Sequence, residues 1–162
     1  ISDSMLYEIF IVVVLCLVPF LELRFALPFA IVVLKLNPAI AFLIAVVVTT
    51  LLAPTIYFAL THFLKFVLRF RTIDKLYARV VQNVALKAEP YVQKFGTIGI
   101  ATLVALPFPA TGTYTASLVA FLLATGYKRL FIGNFFGVAI SATFWLCVAL
   151  GINIVALLLG LI

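Results

Sequence analysis

The chain has 162 residues, 67% of them hydrophobic and 10% charged, with 11 Lys/Arg against 5 Asp/Glu and a mean hydropathy of +1.35. A soluble domain carries about 25% charged and 45–50% apolar residues, so a water-soluble fold is excluded and lipid must cover the apolar surface. The apolar runs lack residue-by-residue alternation, which excludes an outer-membrane barrel and leaves an all-α integral membrane fold, its amides bonded within their own segments.

Spans of roughly 20 apolar residues leave room for about four to six membrane segments in one domain, 1–162. Met5–Phe20 reads as an apolar helix broken near Pro19. Residues 5–20 resemble a signal-peptide core, but no small-residue cleavage site follows them, so a retained helix is expected; the start at Ile1 without a methionine reads as a trimmed chain. Leu21–Leu36 carries polar residues early and is too interrupted for a plain span. Pro38–Leu60 is long and apolar, opened by Asn37 as N-cap and Pro38 in the first turn, with a kink expected at Pro54. Cys16 and Cys147 read as small buried apolar side chains without a disulfide or metal pattern. His62 reads either as an interfacial residue or as a proton-handling one.

Residues 63–94 change character, with seven Lys/Arg (Lys65, Arg69, Arg71, Lys75, Arg79, Lys87, Lys94) against Asp74 and Glu89. Apolar residues recur there at three- and four-residue intervals, the pattern of an amphipathic helix with a basic face. It reads as an interfacial helix on an anionic leaflet or as a basic loop that fixes orientation. Thr97–Leu106 is too short to span, Pro107–Gly112 interrupts it, and Thr113–Thr125 is again half-length. Gly126-Tyr127-Lys128-Arg129 closes that unit. Leu130–Leu150 is a full span, and Gly151–Ile162 either extends it or returns.

The two halves, 5–62 and 95–162, repeat one order of elements: an interrupted short segment, a polar break, a long span. Such pairs are the sequence pointer to a transporter site. If 21–36 and 97–125 dip into the bilayer and return, Lys128 and Arg129 join the seven basic residues of 63–94. Nine positive charges then lie inside, against Lys35 outside, with Arg24 held in the membrane. That bias satisfies the positive-inside rule. The expected fold is therefore an inverted repeat with two opposed re-entrant helical hairpins, spanning helices and one amphipathic interfacial helix.

Glu22 and Arg24 are charges at depth, costing about 2.5–3.5 kcal/mol each on insertion scales unless paired or hydrated. Two residues apart on a helix they point about 200° away from each other; in unwound backbone they share a side. Pro28 has no amide hydrogen for the carbonyl of Arg24. The group reads as a proton-titrating carboxylate beside a guanidinium that receives an anionic head group, or as a structural ion pair. In the second interruption Pro107 and Pro109 forbid regular helix, and Gly112 permits a positive-φ turn. Thr111, Thr113 and Thr115 are expected to offer hydroxyls to one side, and a helix starting near Thr113 to aim free amides at the tip. The other reading is a proline-kinked helix pair without a ligand. No nucleophile–base pair, phosphate loop or Cys/His cluster is present, so neither an enzyme, a cofactor, a metal nor a nucleic-acid partner is expected.

Glu22-Leu23-Arg24-Phe25-Ala26-Leu27-Pro28 together with Leu106-Pro107-Phe108-Pro109-Ala110-Thr111-Gly112 resembles the small multidrug export protein family over nearly the whole chain. That family is similar to the DedA superfamily, associated with opposed re-entrant hairpins. The resemblance implies movement of phospholipids or polyprenyl-phosphate carriers between leaflets, often linked to a proton gradient, with sodium as the other coupling ion. The localisation expected is a prokaryotic cytoplasmic membrane, where the charge count puts 63–94 on the cytoplasmic side. It implies path roles for Glu22, Arg24, Pro107, Pro109, Thr111 and Gly112. The second tip has no acid or arginine, a departure from a two-carboxylate relay. The expected function is a transporter or flippase for an amphipathic, anionic, lipid-like substrate. The alternatives are efflux of cationic amphiphiles with Glu22 as binding charge, and a non-transporting membrane scaffold acting through 63–94. Gly133 and Gly137, at Gly-x-x-x-Gly spacing, offer a face for a homodimer.

Overall fold

Six helices follow from these runs in a computed structural model that describes residues 3–19, 21–67, 96–107 and 111–159. They are α1 (Asp3–Leu17), α2 (Glu22–Val32), α3 (Pro38–Val67), α4 (Thr97–Ala105), α5 (Thr113–Leu122) and α6 (Tyr127–Leu158). No strand occurs among the described residues. The basic segment expected as an interfacial helix lies outside the described residues from 68 to 94; its first residues continue α3 to Val67. α6 begins at Tyr127 and runs to Leu158, so 151–158 extends the span rather than returning.

The apolar stretches Pro38–His62 and Tyr127–Val155 within α3 and α6 are long and apolar enough to cross a bilayer. At 1.5 Å per residue α1 is about 22 Å long and the other short helices shorter still, against a hydrocarbon core of about 30 Å. None of the four spans alone.

Side-chain size is distributed as lipid requires. On α3 the buried stripe is Ala41, Ala45, Thr49 and Ala53, all small and four residues apart, while Ile40, Leu43, Val47 and Leu51 are exposed. α6 buries Gly133, Asn134, Gly137, Ser141 and Ala142 and exposes Ile132, Phe136, Ile140 and Phe144. A soluble helix does the reverse; in a bilayer, large apolar groups gain nothing by leaving lipid, and small residues allow close backbone approach. Exposed Thr55, Thr102 and Thr143 donate to the carbonyls of Leu51, Ile98 and Ala139, at 2.8, 2.9 and 2.8 Å, so their hydroxyls need no water.

The chain forms two compact units, 1–49 with 138–162, and 50–137. In the first, α1 packs on α2. The break between them is Val18–Leu21, closed by the Glu22 amide donating to the Val18 carbonyl at 3.2 Å. Segment 21–36, expected to fold as a hairpin, holds one helix and a turn, because Pro28 is accommodated inside α2; its helical partner is α1. α3 starts where Asn37 and Pro38 predict, with the Ala39 amide donating to Asn37 Oδ1 at 2.9 Å.

In the second unit α4 packs on α5, and Leu106 takes extended backbone (φ −63°, ψ 129°) as a residue before proline must. α4 also lies against α6. A Cβ on Gly133 would stand 2.7 Å from the Thr97 carbonyl oxygen, and one on Gly137 2.7 Å from that of Ala101. The Gly-x-x-x-Gly face read as a dimer contact is therefore filled by α4 of the same chain.

Both units enter and leave the second short helix through positive-φ residues: Glu22 (42°) and Lys35 (54°) around α2, Gly112 (144°) and Ala124 (49°) around α5. After α5 the Thr125 amide donates to the Ala120 carbonyl (3.1 Å) and the Ala124 amide to that of Phe121 (3.2 Å), a Schellman cap with alanine where glycine is preferred. Ala124→Gly is expected to stabilise the protein by about 1 kcal/mol, read as a higher melting temperature in detergent.

Candidate functional site

In the first unit the site gathers at the start of α2. Glu22 is 5% exposed and Cys16 fully buried. Glu22 lies within electrostatic reach of both Arg24 and Cys16, and the Thr49 side chain lies against the Cys16 thiol. The backbone that carries Glu22 and Arg24 differs from the one anticipated. Both residues belong to the first turn of α2, not to an unwound tip. With φ at 42°, Glu22 joins α2 to the preceding turn through left-handed backbone. Pro28, one turn on, lies inside α2 and lacks an amide hydrogen for the Arg24 carbonyl.

In the second unit the break between α4 and α5 carries Pro107, Thr111 and Gly112; Pro109 lies outside the described residues. The Thr111 hydroxyl donates to the Leu106 carbonyl at 2.8 Å, tying the two sides of the break together. Thr113 opens α5 and is fully buried, while Thr115 is half-buried. Because both lie in α5, they do not share one side as extended backbone would have arranged. Ser117, one turn after Thr113, donates to the Thr113 carbonyl at 2.7 Å and reaches the Ala53 carbonyl on α3 at 3.3 Å.

Cys16 is the small buried side chain expected, whereas Cys147, expected to be the same, is exposed on α6; Thr49, Thr50 and Ser117 were not anticipated from the sequence. Thr50 is buried, and its hydroxyl has no hydrogen-bond partner among the described residues. A signal for Thr50 was available. Pro54 strips the amide donor from the carbonyl four residues earlier, which is that of Thr50, as Pro28 does for Arg24. In an apolar run, a polar residue four before a proline marks a point where main-chain and side-chain polarity coincide. Cys16 offered no such cue, since its neighbours in sequence are all apolar.

Among the described residues no group of three His, Cys, Asp or Glu is placed to hold a metal ion. His62 is exposed, its Nδ1 3.0 Å from the Phe58 carbonyl, a local contact within α3.

Among the described residues the fold is all-helical, with two apolar spans, small residues inside and large ones outside, which is the build of an integral membrane protein. The family described as "Putative small multi-drug export protein" matches residues 22–144, and the chain belongs to it. Comparison with curated proteins and with solved structures gives no match.

Proposed function

We propose that the chain is a membrane transporter for an amphipathic, lipid-like substrate with an anionic head group, and that Glu22 exchanges a proton during the cycle. The observation carrying this reading is the buried carboxylate of Glu22, held in left-handed backbone beside Arg24. A bulky residue held at positive φ is a strained one, and such strain concentrates at working sites. Arg24 offers a planar, permanently charged fork for phosphate or carboxylate.

In the membrane arrangement that goes with this reading, α1–α2 and α4–α5 are two re-entrant pairs, with α3 and α6 as the spans. The repeat is then inverted, and 63–94, Lys128 and Arg129 share the cytoplasmic side. The repeated order of elements and the matching positive-φ residues at 22 and 112, and at 35 and 124, support it.

The second reading, efflux of cationic amphiphiles, is favoured by the family's description as an exporter. Glu22 would then bind the cation. Reconstituted protein separates the two. With an imposed pH gradient, the parent is expected to move a fluorescent anionic phospholipid, and Arg24→Ala to slow it at least tenfold. Unchanged lipid movement in Arg24→Ala, with cationic dye flux lost on neutralising Glu22, would replace the first reading by the second.

A further inference from the structure

The turn from α2 into α3 has a feature that the path does not use. Within the first unit an open hollow of about 390 Å³ is lined by Ile31, Lys35, Leu36, Asn37 and Pro38 and, from α6, Asn153 and Leu157. A second hollow of about 250 Å³ shares Asn153 and Leu157 and continues along α6 past Leu150 and Ile154. The two adjoin along α6 as one depression; Lys35 and Asn37 line only the first part, Leu150 and Ile154 only the second.

Its position matches a membrane boundary. The apolar stretch of α3 begins at Pro38 and that of α6 ends at Val155, so Lys35, Asn37 and Asn153 stand where head groups meet hydrocarbon. Lys35 supplies a positive charge, and no acid lines either hollow. Asn153 is a polar side chain in the apolar run Gly151–Leu159. The Asn37 carbonyl-type oxygen already caps α3. On the apolar side Ile154 and Leu157 are largely exposed.

We infer that this depression is a binding site for one anionic phospholipid, its phosphate at Lys35 and Asn153 and an acyl chain running inward along Ile154 and Leu150. Charge and shape select that occupant: a cation alone would hold any anion, but the apolar continuation fits a chain. The site needs only the membrane reading of the chain, not the Glu22 path. Along α2 it lies about 15 Å from Glu22.

The test uses the full chain in detergent, titrated with phosphatidylglycerol and followed by native mass spectrometry. Phosphatidylcholine and inorganic phosphate serve as comparisons. Phosphatidylglycerol is expected to remain bound, with phosphatidylcholine weaker and phosphate giving no protection against its release. Lys35→Gln should weaken retention about fivefold, Asn153→Leu should weaken it also, and Lys35→Arg should keep it. Arg129→Gln serves as a charge control in the other unit and should leave retention unchanged. Flux in Glu22→Gln protein is read separately: it tests the transport mechanism, while the Lys35 and Asn153 arms of the titration test the lipid site, so the failure of one is told apart from the failure of the other. Equal retention of phosphatidylcholine, displacement by phosphate, or parental binding in Lys35→Gln would each overturn the assignment.

Discussion

Gly137→Leu is expected to abolish stable folded protein, and Gly133→Leu to do nearly the same. A Cβ at 137 would stand 2.6 Å from Val104 Cβ and 2.7 Å from the Ala101 carbonyl oxygen, and one at 133 2.9 Å from Ile100 Cβ. These obstacles are backbone and branch-point atoms, which cannot swing aside like the end of a flexible side chain. Overpacking a tight interior costs about 1–3 kcal/mol for a few added carbons; here the whole of α4 must move off α6. Gly137→Ala should already lower the melting temperature by several degrees. Gly151 is the internal control, because a Cβ there meets nothing within 4 Å, and Gly151→Ala should be neutral or stabilising. Size-exclusion profiles of detergent-solubilised protein after a heating series measure all four. If Gly137→Leu stays monodisperse to the parental temperature, the α4–α6 contact is not as described.

That contact also indicates what the sequence could convey. The glycine spacing announced a close helix approach, but a Gly-x-x-x-Gly pattern carries no address, and the partner proved to be α4 of the same chain. The membrane class, the start of α3 at Asn37-Pro38 and the two breaks were legible, because proline, glycine and capping chemistry act locally. The fold of 21–36 was not. Pro28 reads as a breaker, yet its neighbours pack well enough on α1 for the helix to continue through it. The site was half legible for the same reason. Charges in an apolar run declare themselves, so Glu22 and Arg24 could be found. Cys16 and Thr49 come from α1 and α3, and only tertiary packing brings Cys16 near Glu22 and Thr49 against Cys16.

Glu22 itself allows charge and backbone to be tested apart. Three variants do so: Glu22→Gln removes the charge and keeps the side-chain shape; Glu22→Asp keeps the charge and shortens it; Glu22→Gly removes the charge and suits a φ of 42°. Gln at 22 retains the left-handed backbone and leaves Arg24 without its neighbouring carboxylate, so a loss of stability is expected. Glycine suffers the same electrostatic loss but is relieved of roughly 1–2 kcal/mol of left-handed strain, so Glu22→Gly should melt above Glu22→Gln. Flux should follow charge instead. Both neutral variants should lose pH-driven substrate movement by at least tenfold, since neither can exchange a proton, while Glu22→Asp should keep a measurable part of it. The physical content lies in the opposite ordering of the two readouts. Glycine, the residue found at 112 where α5 begins, would make a sounder turn at 22 and a worse transporter. Should Glu22→Gly transport at the parental rate, the acid serves only the packing of α2 on α1, and the proton-exchange role fails. Should Glu22→Gln melt above Glu22→Gly, the strained turn is not a property of the folded chain.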